Sequence, residues 1–188
     1  MAHSRAPAIF LSHGGGPLPV LGDPGHAVMI EFLKHWPATL AARPKAIIVV
    51  SAHWEEASPV VAAGSHPELI YDYAGFPPES YKLKYPAAGD PALAARAVAM
   101  LQQAGHPAAA LSPGRGWDHG VFIPMMLAFP EADVPIVQLS LVKGFDPAMH
   151  WDIGRALRPL RDEGVVRTTV RSALRISIPL ALALAPLP

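Results

Sequence analysis

The stretch AIIVVSAHWEE, residues 46–56, says most about the fold. Its first six residues, Ala46–Ser51, are apolar or small and include several β-branched side chains, as in a short buried strand. His53 follows this predicted strand, and Glu55 and Glu56 come close behind it. In an open α/β sheet, ligands bind where the carboxyl ends of the strands meet. The stretch therefore indicates a strand that ends beside a binding site.

The rest of the chain alternates short apolar runs with longer amphipathic stretches. This pattern predicts the α/β class, a single domain with a central, largely parallel sheet flanked by helices. The predicted strands are Ala8–Ser12, Ala46–Ser51, Val60–Ala63, Ala108–Leu111 and Val134–Leu141. The predicted helices are His26–Trp36, Asp90–Gln103 and Asp146–Arg161. The last two begin with Asp-Pro, an N-cap followed by a first-turn proline. The Tyr-, Pro- and Gly-rich residues 71–90 are expected to cross one edge of the sheet without a helix.

Composition narrows the classes of function. The length of 188 residues fits one domain, and 15 basic and 15 acidic side chains give no net charge. Binding to nucleic acid or to an anionic membrane is therefore not expected, and the predicted partner is a small molecule. Because the chain has no cysteine, a metal site would use histidine and carboxylate ligands. With no bilayer-spanning apolar run and no secretory signal, a cytoplasmic location is expected.

Two histidines follow predicted strands. His13 comes after the first strand, in LSHGGG, and His53 after the second. If these strands are parallel and close neighbours, both imidazoles face one crevice, where with an oxygen ligand they would suit non-haem iron or catalytic zinc. Glu55 and Glu56 compete for the third ligand position, although solvated glutamates are the simpler interpretation. For any single histidine, a polar surface residue is also the simpler interpretation.

A third histidine, His119, lies in the glycine-flanked segment GRGWDHGVFIP, interpreted as a loop where backbone could approach a ligand closely. Asp118 before it could ligate a metal, orient an imidazole, or cap the stretch that follows. The remaining histidines have no such context and are interpreted as surface or helix-face residues: His3, His26, His35, His66, His106 and His150.

Other kinds of site fit the glycines after His13 less well. An esterase oxyanion loop would need a Gly-x-Ser-x-Gly elbow, which the chain lacks. A phosphate loop would need Gly-x-x-x-x-Gly-Lys and a dinucleotide site Gly-x-Gly-x-x-Gly, and neither occurs at the required place. The triple glycine is more consistent with backbone passing close to a bound metal and substrate.

Taken together, these residues resemble the class III extradiol ring-cleavage dioxygenases of the DOPA 4,5-dioxygenase type, which are related to the protocatechuate 4,5-dioxygenase beta subunit. The resemblance covers about residues 8–166. It rests on five blocks in order: LSHGGGP, AIIVVSAHWEE, YDYAGFPPESYKLKYPAAGDPALA, GWDHGVFIPMMLAFPEADVPIVQLSL and HWDIGRALRPLRDEGV. It implies an α/β fold that holds one divalent metal ion per chain, Fe(II) or Zn(II).

The resemblance also implies roles for individual residues. His13 and His53 fall on the family's metal-binding histidines, and His119 on an active-site histidine with a catalytic role in substrate contact or proton handling. Three residues are implied on the substrate side: Tyr73, Phe76 and Asp118. For the two aromatic residues, packing is the simpler interpretation. The implied reaction opens the ring of a small catechol and inserts both atoms of O2 at the non-haem metal. Zinc could not support it by the same redox route.

The sequence departs from the family after LRDEGV. Residues 167–188 contain three arginines and no acidic, aromatic or histidine residue, and the family's third metal ligand and acid/base histidine are absent. We therefore divide the chain into a truncated dioxygenase-like domain, residues 1–166, and a divergent tail, residues 167–188. The tail is interpreted as read out of frame, or alternatively as part of a shortened variant in which it packs as a helix or edge strand.

Several consequences are expected from this departure. Two histidines hold a metal more weakly than three ligands, so the chain could be inactive. The missing segment would uncover apolar surface, from which we expect self-association into a homo-oligomer. A non-catalytic binding protein on the same fold is the alternative function, and a metal-dependent hydrolase has less support.

Overall fold

The computed structural model describes residues 5–171. Within them the strands are β1 (Ala8–Ser12), β2 (Ala46–Glu56), β3 (Val60–Ala62), β4 (Ala110–Ser112), β5 (Ile136–Val142) and β6 (Val165–Arg171). They form one sheet in the order β1-β6-β2-β5-β3-β4. Neighbours among β1, β6, β2 and β5 are parallel, whereas β3 is antiparallel to β5. The predicted α/β domain with a largely parallel sheet is therefore confirmed.

Four α-helices flank the sheet within the described residues: α1 (Ala27–His35), α2 (Pro91–Gln103), α3 (His119–Ala128) and α4 (Pro147–Ala156). The Asp-Pro starts of α2 and α4 are as predicted, since Asp90 accepts a hydrogen bond from Leu93 N and Asp146 from Ala148 N, both at 2.9 Å. The last helix is shorter than predicted because a 3-10 turn replaces it from Arg158 onward. None of the described helices is both long and apolar enough to cross a membrane.

Helix α3 was not predicted. Its sequence, HGVFIPMMLA, is buried at eight of ten positions and has no polar face. An apolar stretch without a polar face gives no helical periodicity, so a short helix and a buried strand look alike in sequence. The prediction that His119 lies in a loop is therefore wrong, because it is the first residue of α3.

The core has one apolar cluster on each face of the sheet. On one face Leu33 of α1 and Phe122 of α3 pack with inward side chains of the central strands, which include Ile47, Val49, Val166 and Val170. Residues of the 71–90 segment join this cluster, among them Tyr85 and Ala87, and the segment contains a 3-10 helix over Pro78–Lys82 where no helix was expected. Its course over an edge of the sheet stays a prediction. On the other face the cluster contains residues of α2 and α4 with Ile48, Val50, Leu101, Val137 and Ile153.

Strand β2 is longer than predicted and carries an irregularity near its middle. Val50 pairs with Leu139, and the next residue of β2 that pairs with β5 is Glu55, opposite Leu141. Over this interval β2 advances by five residues while β5 advances by only two. His53 lies in this bulged stretch. The prediction that the strand ends at Ser51, before His53, is therefore wrong: regular pairing stops near Ser51 and resumes at Glu55.

Strand β6 was not predicted, and it lies between β1 and β2. Strands β1 and β2 are therefore parallel but not neighbours. The shared crevice of His13 and His53 was predicted on the condition that these strands are close neighbours, and this condition is not met. Residues 167–171 form part of this inner strand rather than a helix or an edge strand. Because β6 spans the predicted boundary at residue 166, regular structure continues past it, and the division into domain and tail stays a prediction. The rest of the predicted tail, residues 172–188, lies outside the described residues.

Arg167 is a buried cation in β6, with only 6% of its surface exposed. Its NH1 group donates to Gly154 O, while Nε and NH2 find no hydrogen-bond partner within residues 5–171. Burial, together with the charges of Arg161 and Arg158, lowers the pKa of Arg167 to about 10. A buried guanidinium without a carboxylate partner in the described chain costs stability, because its desolvation is not offset by an ion pair.

We expect Arg167→Met to raise the free energy of unfolding by about 1 to 3 kcal/mol, since methionine fills a similar volume without the buried charge. The control is Arg96→Met, at an exposed arginine whose NH2 lies 2.7 Å from Glu163 Oε1, and it should change stability by less than about 1 kcal/mol. Urea unfolding at pH 7 measures both. Lower stability of Arg167→Met than of the parent would contradict the argument.

Candidate metal centre

Three imidazoles converge on one point beside the sheet. His13 follows β1, His53 lies in the bulge of β2, and His119 begins α3. One ligand nitrogen from each lies within 4.8 Å of the other two, and His13 Nε2 is 2.8 Å from His53 Nε2. The ring centroids of His53 and His119 are 4.1 Å apart. The structure thus brings together the two histidines predicted as metal ligands and the histidine predicted as catalytic.

The glycines after His13 allow the chain to turn sharply there. Gly14 and Gly16 have φ angles of 74° and 54°, in the left-handed region that glycine adopts readily. A Cβ atom on Gly14 would lie 2.6 Å from the His26 ring, and one on Gly16 would lie 2.9 Å from the Phe76 ring. Both positions therefore need glycine for conformation and for space.

His26 holds this turn in place, although it was interpreted as a surface or helix-face residue. Its Nε2 accepts a hydrogen bond from Gly15 N at 3.1 Å, and its Nδ1 lies 2.6 Å from Asp23 Oδ2. His150 is a helix-face residue of α4, as interpreted, and it lies on the buried face: it is 1% exposed and its Nε2 accepts from Val142 N. Both histidines hold backbone by hydrogen bonds.

Asp118 anchors the elements that carry His53 and His119. Its fully buried carboxylate accepts hydrogen bonds from Ser51 Oγ at 2.6 Å, Gln138 Nε2 at 2.5 Å and Arg115 NH2 at 2.9 Å. Ser51 Oγ in turn accepts from His53 N at 3.2 Å. The side chain makes no capping hydrogen bond to α3, so of the three roles left open for Asp118, side-chain capping is wrong. A contact between Asp118 and substrate stays a prediction.

Asp72 contacts the cluster and was missed by the sequence analysis. Its Oδ1 accepts hydrogen bonds from His119 N and from His119 Nδ1, both at 2.9 Å, and its Oδ2 lies 3.9 Å from His53 Nδ1. Burial raises the pKa of Asp72, but the two hydrogen bonds from His119 and the charges of His119 and His53 outweigh it and leave that pKa below its ordinary value. The residue is 47 positions from His119, so no local pattern links them.

Tyr73 and Phe76, predicted on the substrate side, lie next to the cluster. The Tyr73 ring centroid is 5.8 Å from that of His119 and 5.5 Å from that of Phe76. The Tyr73 hydroxyl donates to Ser80 O at 2.6 Å, and burial raises its pKa to about 12, so it stays protonated at neutral pH. These contacts are packing contacts, and a contact of either ring with substrate stays a prediction.

The donor set of the cluster fits a divalent metal ion. His13 is 1% exposed, and burial, followed by the charges of His119 and His53, lowers its pKa to about 3. It is therefore neutral at pH 7, the form in which imidazole binds zinc or iron. Within the described residues the cluster has no carboxylate ligand: Glu55 and Glu56 lie outside it, and Glu56 accepts a hydrogen bond from Trp54 Nε1.

Gly120→Ala should weaken metal binding. A Cβ atom there would lie 2.8 Å from Ser51 Oγ and 2.9 Å from His53 Cδ2, so His53 must move. We expect the affinity for Zn(II), measured by competition with a chromophoric chelator, to fall about 10- to 100-fold, as when the residues that support a ligand are disturbed. The control is Gly114→Ala, whose Cβ would meet nothing within 4 Å and which should bind like the parent. Equal affinity of the two variants would contradict the prediction.

The metal-free protein should lose stability as the pH falls from 7 to 5. Between the ordinary pKa of 6.5 and the folded value of about 3, the unfolded chain holds a proton on His13 that the folded chain does not. Stability therefore decreases with falling pH, by at most about 1.4 kcal/mol per pH unit from this group. His13→Gln should make the decrease shallower in urea unfolding. An unchanged slope would show that His13 does not resist protonation.

The chain is similar in sequence to known dioxygenases. The chain matches the family model described as "Catalytic LigB subunit of aromatic ring-opening dioxygenase" over residues 7–168. It is 55% identical over 166 residues to dioxygenase tasH of Hapsidospora irregularis, an alignment that covers 85% of this chain and 51% of the relative. It is 41% identical over 160 residues to a 4,5-DOPA dioxygenase extradiol of Portulaca grandiflora, covering 85% and 58% of the two chains.

A crystal structure of an uncharacterized protein from Escherichia coli K12 is similar in fold. Its TM-score is 0.61 and its sequence identity 36%, over 76% of this chain and 52% of that chain. This chain spans about half the length of the curated relatives that it matches. Because the family model covers β1 to β5 and the first four residues of β6, including all three clustered histidines, the chain belongs to the family of the catalytic LigB subunit of aromatic ring-opening dioxygenases.

Proposed function

We propose that the chain is an extradiol ring-cleavage dioxygenase of the catechol class, in which His13 and His53 hold one divalent metal ion. The observation that carries the proposal is the convergence of three imidazoles, in a chain of an aromatic ring-opening family. The relatives named 4,5-DOPA dioxygenase extradiol support a small catechol and O2 as substrates. We also propose a cytoplasmic location.

Fe(II) is the metal that we favour over Zn(II). When bound, Fe(II) supplies the electron transfer between catechol and O2, whereas Zn(II) has no accessible change of redox state. His13 contributes a buried neutral nitrogen, and His53 a nitrogen from a side chain that is 28% exposed. Substrate would therefore approach from the side of His53 rather than His13.

His119 is proposed as the catalytic residue that takes a proton from the substrate. Its Nδ1 lies against the carboxylate of Asp72, so that this nitrogen carries the hydrogen and Nε2 keeps its lone pair. The side chain is only 7% exposed, which limits exchange of the proton with bulk water. A general base placed in this way typically contributes about 10²- to 10⁴-fold to the rate.

The proposed partners are the catechol, O2 and a second copy of the chain. Six large hydrophobic side chains are exposed in the described structure, among them Phe10 at 43%, Val28 at 88% and Phe32 at 52%. They support the expected formation of homo-oligomers, since exposed apolar side chains favour association.

Reconstitution with Fe(II) under anaerobic conditions tests the ligands and the base together. We expect about one equivalent of iron in the parent and loss of iron in His13→Ala and His53→Ala. His119→Ala should keep iron but lower catechol-dependent O2 uptake by about 10²- to 10⁴-fold. The matched control is His35→Ala, at a side chain that is 73% exposed, and it should behave like the parent.

Two outcomes would contradict parts of this proposal. Loss of iron in His119→Ala as complete as in His13→Ala would make His119 a ligand rather than the base. Iron binding by the parent without catechol-dependent O2 uptake would contradict the dioxygenase and favour the non-catalytic binding protein.

A further inference from the structure

We propose that Asp72 is the positioning residue of the histidine cluster: its carboxylate fixes the ring orientation and tautomer of His119 with one oxygen and faces His53 with the other. The use of that tautomer in catalysis rests on the proposed function. The positioning itself is a property of the metal-free chain and can be measured without any reaction.

The contacts between Asp72 and His119 hold the ring at two points. Oδ1 of Asp72 accepts from the backbone N–H and from the ring Nδ1–H of His119, each at 2.9 Å. Turning the ring over would exchange Nδ1 for a carbon and lose one bond, while moving the first turn of α3 would lose the other. The ring is thereby oriented with Nε2 directed away from Asp72.

The second oxygen relates Asp72 to His53. Oδ2 lies 3.9 Å from His53 Nδ1, which is too long for a hydrogen bond but close enough for electrostatic attraction. The opposite nitrogen of His53, Nε2, is 2.8 Å from His13 Nε2 at the centre of the cluster. The Asp72 carboxylate therefore lies beside the Nδ1 atoms of both imidazoles. A carboxylate behind a ligand histidine raises its basicity and fixes its orientation.

Asp72 is itself held on both sides. The Tyr71 hydroxyl donates to Leu83 O at 2.8 Å, and the Tyr73 hydroxyl donates to Ser80 O at 2.6 Å. Both acceptors belong to the same 71–90 segment, so the hydrogen bonds tie Asp72 into a folded loop. Asp118 is the acid next to His119 in sequence, but its carboxylate already accepts hydrogen bonds from Ser51, Gln138 and Arg115. Asp72 is thus the carboxylate placed to act on the His119 ring.

The tautomer of each histidine in the metal-free, ¹⁵N-labelled protein provides a direct test. Long-range ¹H–¹⁵N correlation spectra at neutral pH distinguish a hydrogen on Nδ1 from one on Nε2. We expect the parent to hold the His119 hydrogen on Nδ1, and Asp72→Ala to move His119 toward the Nε2–H form. Asp72→Asn keeps an acceptor oxygen, so it should retain the Nδ1–H form and act as a rescue.

Affinity for Zn(II) provides a second readout that does not depend on activity. We expect Asp72→Ala to bind Zn(II) about 10- to 100-fold more weakly than the parent, and Asp72→Asn to lose less affinity than Asp72→Ala. The matched control is Asp90→Ala, which also removes a carboxylate that accepts a backbone N–H in the first turn of a helix, but far along the chain from the cluster. It should change neither the His119 tautomer nor the affinity.

The possible results separate this inference from the proposed function. Parental tautomer and parental affinity in Asp72→Ala overturn the inference. If Asp72→Ala does not fold, the parent decides: a His119 hydrogen found on Nε2 rather than Nδ1 in the parent overturns the inference. A tautomer that depends on Asp72, in a parent that consumes no O2 with catechol, supports the inference while the proposed function fails.

Discussion

The parallel pairing of β6 with both β1 and β2 is the constraint on which the site depends. Neighbouring strands are about 4.8 Å apart, so an inserted strand separates β1 and β2 by about 10 Å. His13 and His53 nevertheless bring their Nε2 atoms to 2.8 Å, because His13 directly precedes a glycine turn and His53 projects from a bulge. Without β6, β1 would have no partner strand in the described sheet, and His13 would have no fixed position.

The same strand carries two buried polar side chains whose hydrogen bonding is incomplete within the described residues. Arg167 lies in register with Ile48, which belongs to the apolar cluster under α2 and α4. The next residue, Thr168, is 2% exposed, and its hydroxyl has no hydrogen-bond partner among residues 5–171. The match to the family model ends at this residue. The site therefore depends on a strand whose sequence suits a buried position poorly, which links metal binding to the stability of β6.

The sequence predicted those parts of the fold whose signals are local. Strand β1 has the predicted bounds because its apolar run is bounded by Ser12 and the glycine turn, and α2 begins where Asp90 caps it. Helix α3 has no polar face, and Arg167 interrupts the apolar pattern of β6, so neither element could be recognised from periodicity. His13, His53 and His119 could be selected one by one, but their convergence across β6 is a tertiary effect. Asp72 could not be selected, since its partner lies 47 residues away.

Two aspartates support the cluster in different ways because their surroundings differ. Asp118 is fully buried, and three donors occupy its carboxylate, so it can hold β2, β5 and the start of α3 together but has little capacity left for a ligand. Asp72 has a side chain that is 24% exposed, and its Oδ2 faces His53 at a distance beyond hydrogen bonding. An occupied inner carboxylate provides rigidity, whereas an outer carboxylate with spare acceptor capacity can respond when charge changes on the imidazoles. Asp118 is therefore the fixed support of the histidine cluster, whereas Asp72 is the carboxylate that acts on the chemistry of its imidazoles.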